Sequence, residues 1–435
     1  MERKRKKRKA FFLAGAAALI LTACVSRPSP GDNVMTFERE NERAVTLFSP
    51  MEKTMPDADN VARSASEKTV TLAEEKLGVT VNYITYTAED YQDKTYDEVA
   101  LDRARNDLDD MYLLNPDILQ KLAEEEKLMD LSELDSAKNL RDVVKMANVV
   151  DGKLVGIPQE VVAYGLFINK DMFDRYDLEL PETPEDFLEC CRVFQENGID
   201  TPVGANRWWL ETFVFAQAYA DLYNGGELEA EIAALNSGEK KYSDYMRPGF
   251  EFLQKMIDCG YIDAEKAYVS EAIEGEGADF LAQKTPIVMA YWSAANADTA
   301  YGKPDFNMQV IGFPSSRGQM PVVSITGISV GVNAEHAEDA MRTLDIMVSD
   351  EALQLYAETN KVISPSKNVQ VECIPALQPL NDRINENVFV LATNAGMKME
   401  QWGNTCMIVR KLLGGASVEE CMAELDRLQE EALQK

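Results

Sequence analysis

The residues with the most definite chemistry to offer are four tryptophans, Trp208, Trp209, Trp292 and Trp402. An indole presents a flat apolar face, and a pyranose presents a flat face of C–H bonds ringed by hydroxyls. Stacking one on the other, with polar groups at the rim, holds a sugar in water. Trp292 closes the run Ile287–Tyr291, which reads as a short strand, and open α/β sheets bind ligands beyond the carboxyl ends of their strands. Trp208 and Trp209 follow the segment TPVGANR. Glu211, one turn further on, has a carboxylate able to accept sugar hydroxyls. The alternative for each tryptophan is a place in the core, and for Glu211 an exposed surface.

Other chemistries find little support. The sole histidine, His336, lies in NAEHAED near a helix start. One histidine excludes His-based metal clusters and argues against a Ser-His-Asp triad. The chain has no GxSxG, HExxH or P-loop pattern, and Gly275-Glu276-Gly277 is a glycine pair in an acidic loop, not a phosphate cradle. A glycosidase needs only two carboxylates, and 74 acids leave room for such a pair, but nothing positive points to one. The expectation is a binding protein without catalysis, cofactor or metal.

The N-terminus sets the compartment. Arg3–Lys9 is an unbroken basic run, followed by an apolar segment from Ala10 to Ala23 and then Cys24. That segment falls short of the roughly twenty residues a membrane span needs, and the pair of features reads as a secretory signal. Leu21-Thr22-Ala23-Cys24 resembles a bacterial lipobox, which implies cleavage before Cys24 and a diacylglycerol on its sulfur; a plain signal peptide containing a cysteine is the alternative. The Pro-, Ser- and Gly-rich VSRPSPGDN that follows reads as a flexible tether. Removing a signal with seven basic residues and one acid takes the net charge from −30 to −36. So acidic a body is a poor partner for nucleic acid or anionic lipid, so the membrane is reached through the lipid alone. Cys190, Cys191, Cys259, Cys373, Cys406 and Cys421 match no zinc or CxxC spacing, and Cys190-Cys191 fall on an apolar helix face as buried thiols.

The elements alternate. Ala44–Ser49 and Val79–Tyr86 read as strands around a helix over Glu67–Leu77, a parallel pair with a right-handed crossover. A helix over Tyr96–Leu108 leads to a strand at Met111–Leu114 and then to a helix that Asn115 caps and Pro116 opens. Asp151-Gly152 signals a hairpin turn. Val161–Ile168 reads as a strand, with Asn169 capping the next helix. Further helices are expected from Pro184 until Gly198 ends it, and at Glu211–Tyr223, Arg247–Cys259, Ala337–Val348, Glu351–Glu358, Arg383–Ala395 and Ser417–Ala432. Val310–Phe313 and the glycine-interrupted Val322–Val332 read as β structure. Strands alternating with helices give the α/β class.

GKLVGIP, GLFINKDMF, the Pro181–Phe187 helix start, and Gly198 with Thr201-Pro202, taken in this order, are similar to the extracellular solute-binding proteins of ABC importers, in the group that includes maltose- and oligosaccharide-binding proteins. The resemblance implies a two-lobe fold with three crossings, near Pro158-Gln159, Ser315–Pro321 and Lys361–Pro365. Lobe 1 would then hold residues 44–158 with 322–362, and lobe 2 residues 159–321 with 363–435. FLAQKTPIVMAYWSAAN resembles the family's tryptophan motif, departing from it at Gln283 and Tyr291, and so implies a sugar over Trp292. By the same resemblance Trp402 is a second stacking aromatic, Tyr164 reaches the cleft, and Asp110 lies at the mouth of the first lobe or plays a purely structural part. The implied partners are a small polar ligand, most simply a carbohydrate, and a membrane permease with its ATPase, the body itself acting as a monomer. A peptide, polyamine or organic anion on the same fold is the first alternative, and a lipid-anchored glycosidase or sensor subunit the second.

Overall fold

The computed structural model describes residues 43–50, 61–86, 91, 94–207, 209–270, 274–291, 304–370 and 372–434, all within one unit, Glu42–Lys435. The signal segment, Cys24, the tether, Trp208 and Trp292 lie outside the described residues.

Two separate sheets organise the molecule. The first starts with β1 (Arg43–Ser49), whose Val45, Leu47 and Phe48 are buried. It pairs in parallel with β2 (Val79–Thr85), from Arg43 against Val79 to Ser49 against Thr85, and on its other side with β3 (Met111–Leu114). The helix Val61–Leu77 connects β1 to β2 as the β-α-β order requires. The helix Tyr96–Arg105 opens with a capping box between Thr95 and Glu98. After β3, the helix Pro116–Glu124 buries Ile118, Leu119 and Leu122, the stripe its spacing predicts. A hairpin, β4 (Val149–Val150) to β5 (Lys153–Leu154), turns at Asp151-Gly152 with φ of 49° and 78°, the left-handed pair a type I′ turn needs.

The second sheet is built on β6 (Val162–Asn169), buried along most of its length, and Asn169 caps the next helix through its side chain. β7 (Val203–Gly204) runs parallel to β8 (Ile287–Tyr291), while β8 and β9 (Met308–Ile311) run against β6. A small hairpin, β10 (Phe313–Ser315) and β11 (Gly318–Met320), precedes β12 (Val322–Ser324), which also runs against β6. β13 (Gly327–Val330) then returns to the first sheet beside β3, and β14 (Val390–Leu391) adds to the second, parallel to β12. The carboxyl ends of β7, β8, β9, β12 and β14 therefore all face the end where β6 begins.

Helices complete each layer. Leu210–Asn224 is apolar on all sides and buries nearly every residue, so it forms the centre of the second lobe. Tyr242–Asp258 packs against it, and Trp402–Leu413 and Val418–Leu433 close the outside. Cys190 and Cys191 are free and buried on the helix Pro184–Glu196, as their face predicts.

Two expectations need correction. Val322–Val332 is not one β run but two strands in different sheets, so the passage between lobes falls at Ile325-Thr326, while Ser315–Pro321 belongs to a hairpin and its exit in the second lobe. A helix over Arg383–Ala395 does not form. The helix is Gln378–Asn385, and Val390-Leu391 is a strand, because this apolar pair is fully buried when it lies against Val322 and Val323. Near the first passage Ile157 bridges Ile328, and Val161 bridges Ile363. There the backbones of Gly156 and Gly327 meet so closely that a Cβ on Gly327 would lie 2.9 Å from the Gly156 Cα.

Candidate functional site

The site begins where β14 ends. The chain leaves Leu391, passes through Ala392–Gln401, and enters the helix Trp402–Leu413 with Trp402 at its first position. The Trp402 indole is half-buried, its ring centre 5.4 Å from that of Tyr164 on β6 and 5.8 Å from that of Phe215. It forms part of the wall of an open cavity of about 700 Å³ with Tyr268, Cys406, Met407 and Arg410. The Arg410 guanidinium lies 6.0 Å from the centre of the Tyr268 ring. Two of the aromatic positions expected to reach a ligand, Tyr164 near the start of β6 and Trp402 at the start of its helix, are thus in contact.

Behind this wall lies Glu211. Its residue is fully buried in the first turn of Leu210–Asn224, and neither carboxylate oxygen has a hydrogen-bond partner at ordinary distance. Burial pushes its pKa up to about 8, against smaller opposing effects of its own backbone N–H and the Cys406 thiol. Burial likewise pushes the Cys406 thiol up, helped by the Glu211 charge and opposed by the Trp402 side chain. Glu211 is therefore neither on the surface nor at the cavity face, but behind it, beside the Cys406 thiol. Trp209 is 8% exposed and joins the main apolar core, so it sits in the packing rather than in the cavity wall.

The first lobe supplies acids. The helix Pro116–Glu124 starts directly beyond the carboxyl end of β3, which places Asp117 against Glu400 and the Gln401 backbone. Burial, then the Glu400 charge, pushes the Asp117 carboxyl up to about 7, and its Oδ1 has no partner. Asp97 accepts from the Asn115 side chain at 2.8 Å, and burial raises its pKa too, with Glu400 adding to the effect. Burial raises the pKa of the Tyr219 and Tyr242 hydroxyls, and the Asp117 charge adds to it. A tyrosine group also lies past the end of β2, where Tyr86 stacks on Tyr91 at 5.6 Å. Reading the sequence identified Asn115 and Pro116 as a helix start but passed over Asp117, although a strand end followed by Asn-Pro-Asp carries the signal.

Asp110 is not at the mouth of the lobe. It precedes β3, at the amino end of the strand, roughly 13 Å from its carboxyl end. Its carboxylate accepts from the Thr46 N–H at 2.8 Å, the Thr46 hydroxyl at 2.9 Å and the His336 N–H at 2.9 Å, while its own N–H donates to Thr46 Oγ1. The His336 ring lies 3.6 Å away. Asp110 ties β1, β3 and the start of the helix Ala337–Met347 together. Asp110→Ala is expected to lower stability by about 3 kcal/mol, as expected for loss of a buried carboxylate's hydrogen bonds. Ligand affinity of the surviving folded protein should stay unchanged, as a denaturant melt and calorimetric titration would read.

Among the described residues no group of three or more His, Cys, Asp or Glu is placed to hold a metal, and no described helix is long and apolar enough to cross a membrane.

Solved structures share this architecture. A family 1 extracellular solute-binding protein from Bifidobacterium longum subsp. infantis aligns with a TM-score of 0.71 and 16% identity, covering 89% of this chain and 98% of that one. The sugar-binding protein MalE from Xanthomonas citri aligns at 0.69 and 14%, covering 90% and 97%. A chitin oligosaccharide binding protein aligns at 0.69 and 17%, covering 91% and 100%. At these identities the likeness establishes the two-lobe α/β fold. Comparison with the curated proteins gives no match. The model of the bacterial extracellular solute-binding proteins matches residues 58–354, more than half the chain, and the protein therefore belongs to that family.

Proposed function

We propose that the chain is a lipid-anchored solute-binding subunit of an ABC importer that captures a mono- or oligosaccharide between its lobes and passes it to a membrane permease driven by an ATPase. The observation that carries the reading is the Trp402–Tyr164 contact at the cavity of the second lobe, with Asp97 and Asp117 of the first lobe near Glu400 beside it. Aromatic faces suit the C–H faces of a sugar, and carboxylates accept from its hydroxyls. Proteins of similar fold point the same way, one of them in complex with raffinose and another a chitin oligosaccharide binding protein. Trp208 and Trp292, outside the described residues, are assigned to the same site from their positions after β7 and β8. Closure brings contacts from both lobes onto one ligand, so binding favours the closed form. Lipidation at Cys24 would hold the body outside the cytoplasm.

A cationic cargo such as a polyamine is the second reading, favoured by the three acids at the lobe junction. A thermal-shift screen of purified protein across sugars, peptides and polyamines separates the two. Saturable stabilisation by a sugar, recovered chemically intact, supports the first reading. Stabilisation by polyamines alone supports the second, and a sugar returned hydrolysed rejects both. Loss of labelled lipid from a Cys24→Ser variant expressed in a bacterium would support the anchor.

A further inference from the structure

A second cavity, of about 470 Å³, lies at the third passage between the lobes and away from Trp402. Its wall includes Arg141, from the start of the helix Asp142–Asn148, Lys361 and Lys367 of the connecting segment, and Asn381 and Asn385 of the helix Gln378–Asn385. This grouping is at odds with the composition, since the chain carries 74 acids against 44 Lys and Arg. Of the acids only Glu372, itself exposed, contributes to the wall.

Arg141 is the decisive residue. Its guanidinium is half-buried, and its two described bonds go to uncharged acceptors, the Ser364 carbonyl at 2.8 Å and the Asn385 side-chain oxygen at 2.9 Å. Burial alone acts on its pKa, downward, with no carboxylate offsetting it. A partly desolvated cation without an anion is unfavourable unless something supplies the charge. A guanidinium has five N–H donors in a planar fork, so donors remain beyond the two bonds made. With two lysines and two side-chain amides around the same space, the arrangement fits a compact oxyanion.

We propose that this cavity binds a small oxyanion, inorganic phosphate or the phosphate of a small metabolite, separately from the inter-lobe ligand. The Arg141 fork and the amides hold the oxygens, and Lys361 and Lys367 add charge at the opening.

The test is calorimetric titration of the purified protein with sodium phosphate and with glycerol phosphate, sodium chloride at equal ionic strength serving as the blank, since screening alone would act on surface charges. The expected result is saturable binding with a dissociation constant on the order of 1 mM. Asn381→Asp, which places a carboxylate in the wall without touching the Arg141 bonds, should weaken it at least about tenfold, and Lys367→Glu should act in the same direction. Arg141→Gln should abolish it, but that variant also loses two structural hydrogen bonds, so Asn381→Asp is the deciding one. Equal affinity for the two phosphates assigns the free ion, and tighter glycerol phosphate assigns a metabolite. Absence of saturation in the wild type, or unchanged binding in Asn381→Asp, overturns the proposal.

Discussion

Glu211→Gln is expected to stabilise the protein at about pH 8 and to change it little near pH 4.5, a pH-dependent gain of about 3–4 kcal/mol. The reason is the place of this carboxyl, fully buried beside Cys406, with a pKa pushed up to about 8 by burial. A folded-state value above the unfolded one gives a contribution to stability that is complete below the unfolded pKa. That contribution is lost as pH rises through the folded pKa, here about 8. Glutamine keeps the shape and cannot ionise. Asp117 and Glu160, each pushed up to about 7, act in the same direction over a lower window. Glu424, on the surface but partly covered and held down to about 2 by Arg427 and then Lys411, acts oppositely, and its small contribution is lost only under stronger acid. The wild type should therefore be most stable at roughly pH 4–5, with the Glu211→Gln curve flatter on its alkaline side. Thermal melts across pH would read both curves, and parallel curves for the two proteins would show that Glu211 is not the group responsible.

Trp402→Ala should weaken carbohydrate binding by about 10- to 100-fold, the loss expected for one stacked sugar ring. It also removes an indole packed against Tyr164 and Phe215, so the melting temperature will fall as well. Trp402→Phe distinguishes the two effects: it keeps a ring against Phe215 and should restore most of the stability while recovering only part of the affinity. If the alanine variant, once shown to be folded, bound as tightly as the wild type, Trp402 would leave the proposed contact set.

What the sequence made legible was local. The Asp151-Gly152 turn, the Thr183 and Ser417 helix starts and the apolar stripe of Pro116–Glu124 each rest on a few neighbouring residues, and each is found where the spacing places it. Sheet membership was not legible, because β12 and β13 lie two residues apart and both read as apolar strands, while only distant partners, Tyr164 for one and Leu113 for the other, decide which sheet each joins. For the same reason the segment 383–395 looked helical until Val390 and Leu391 found Val322 and Val323. In the site, aromatic residues announced themselves by type, whereas Asp117 did not. One acid among 74 acquires meaning only when folding sets it against Glu400. For Asp110 the order along the chain left a place at the lobe's mouth and a structural part equally open, and its bonds to Thr46 and His336 favour the structural part.

The meeting of Gly156 and Gly327 has a practical consequence. For the closure proposed above, bare main chain pressed against main chain is a pivot, held by the Asn148 side chain, which donates to the Gly156 and Thr326 carbonyls. It tolerates torsion of the two segments but leaves no room for one to slide past the other. A reporter built on this chain should therefore carry its dyes far from that point, at the outer rims of the lobes, where a small angular change at the pivot becomes the largest change in separation.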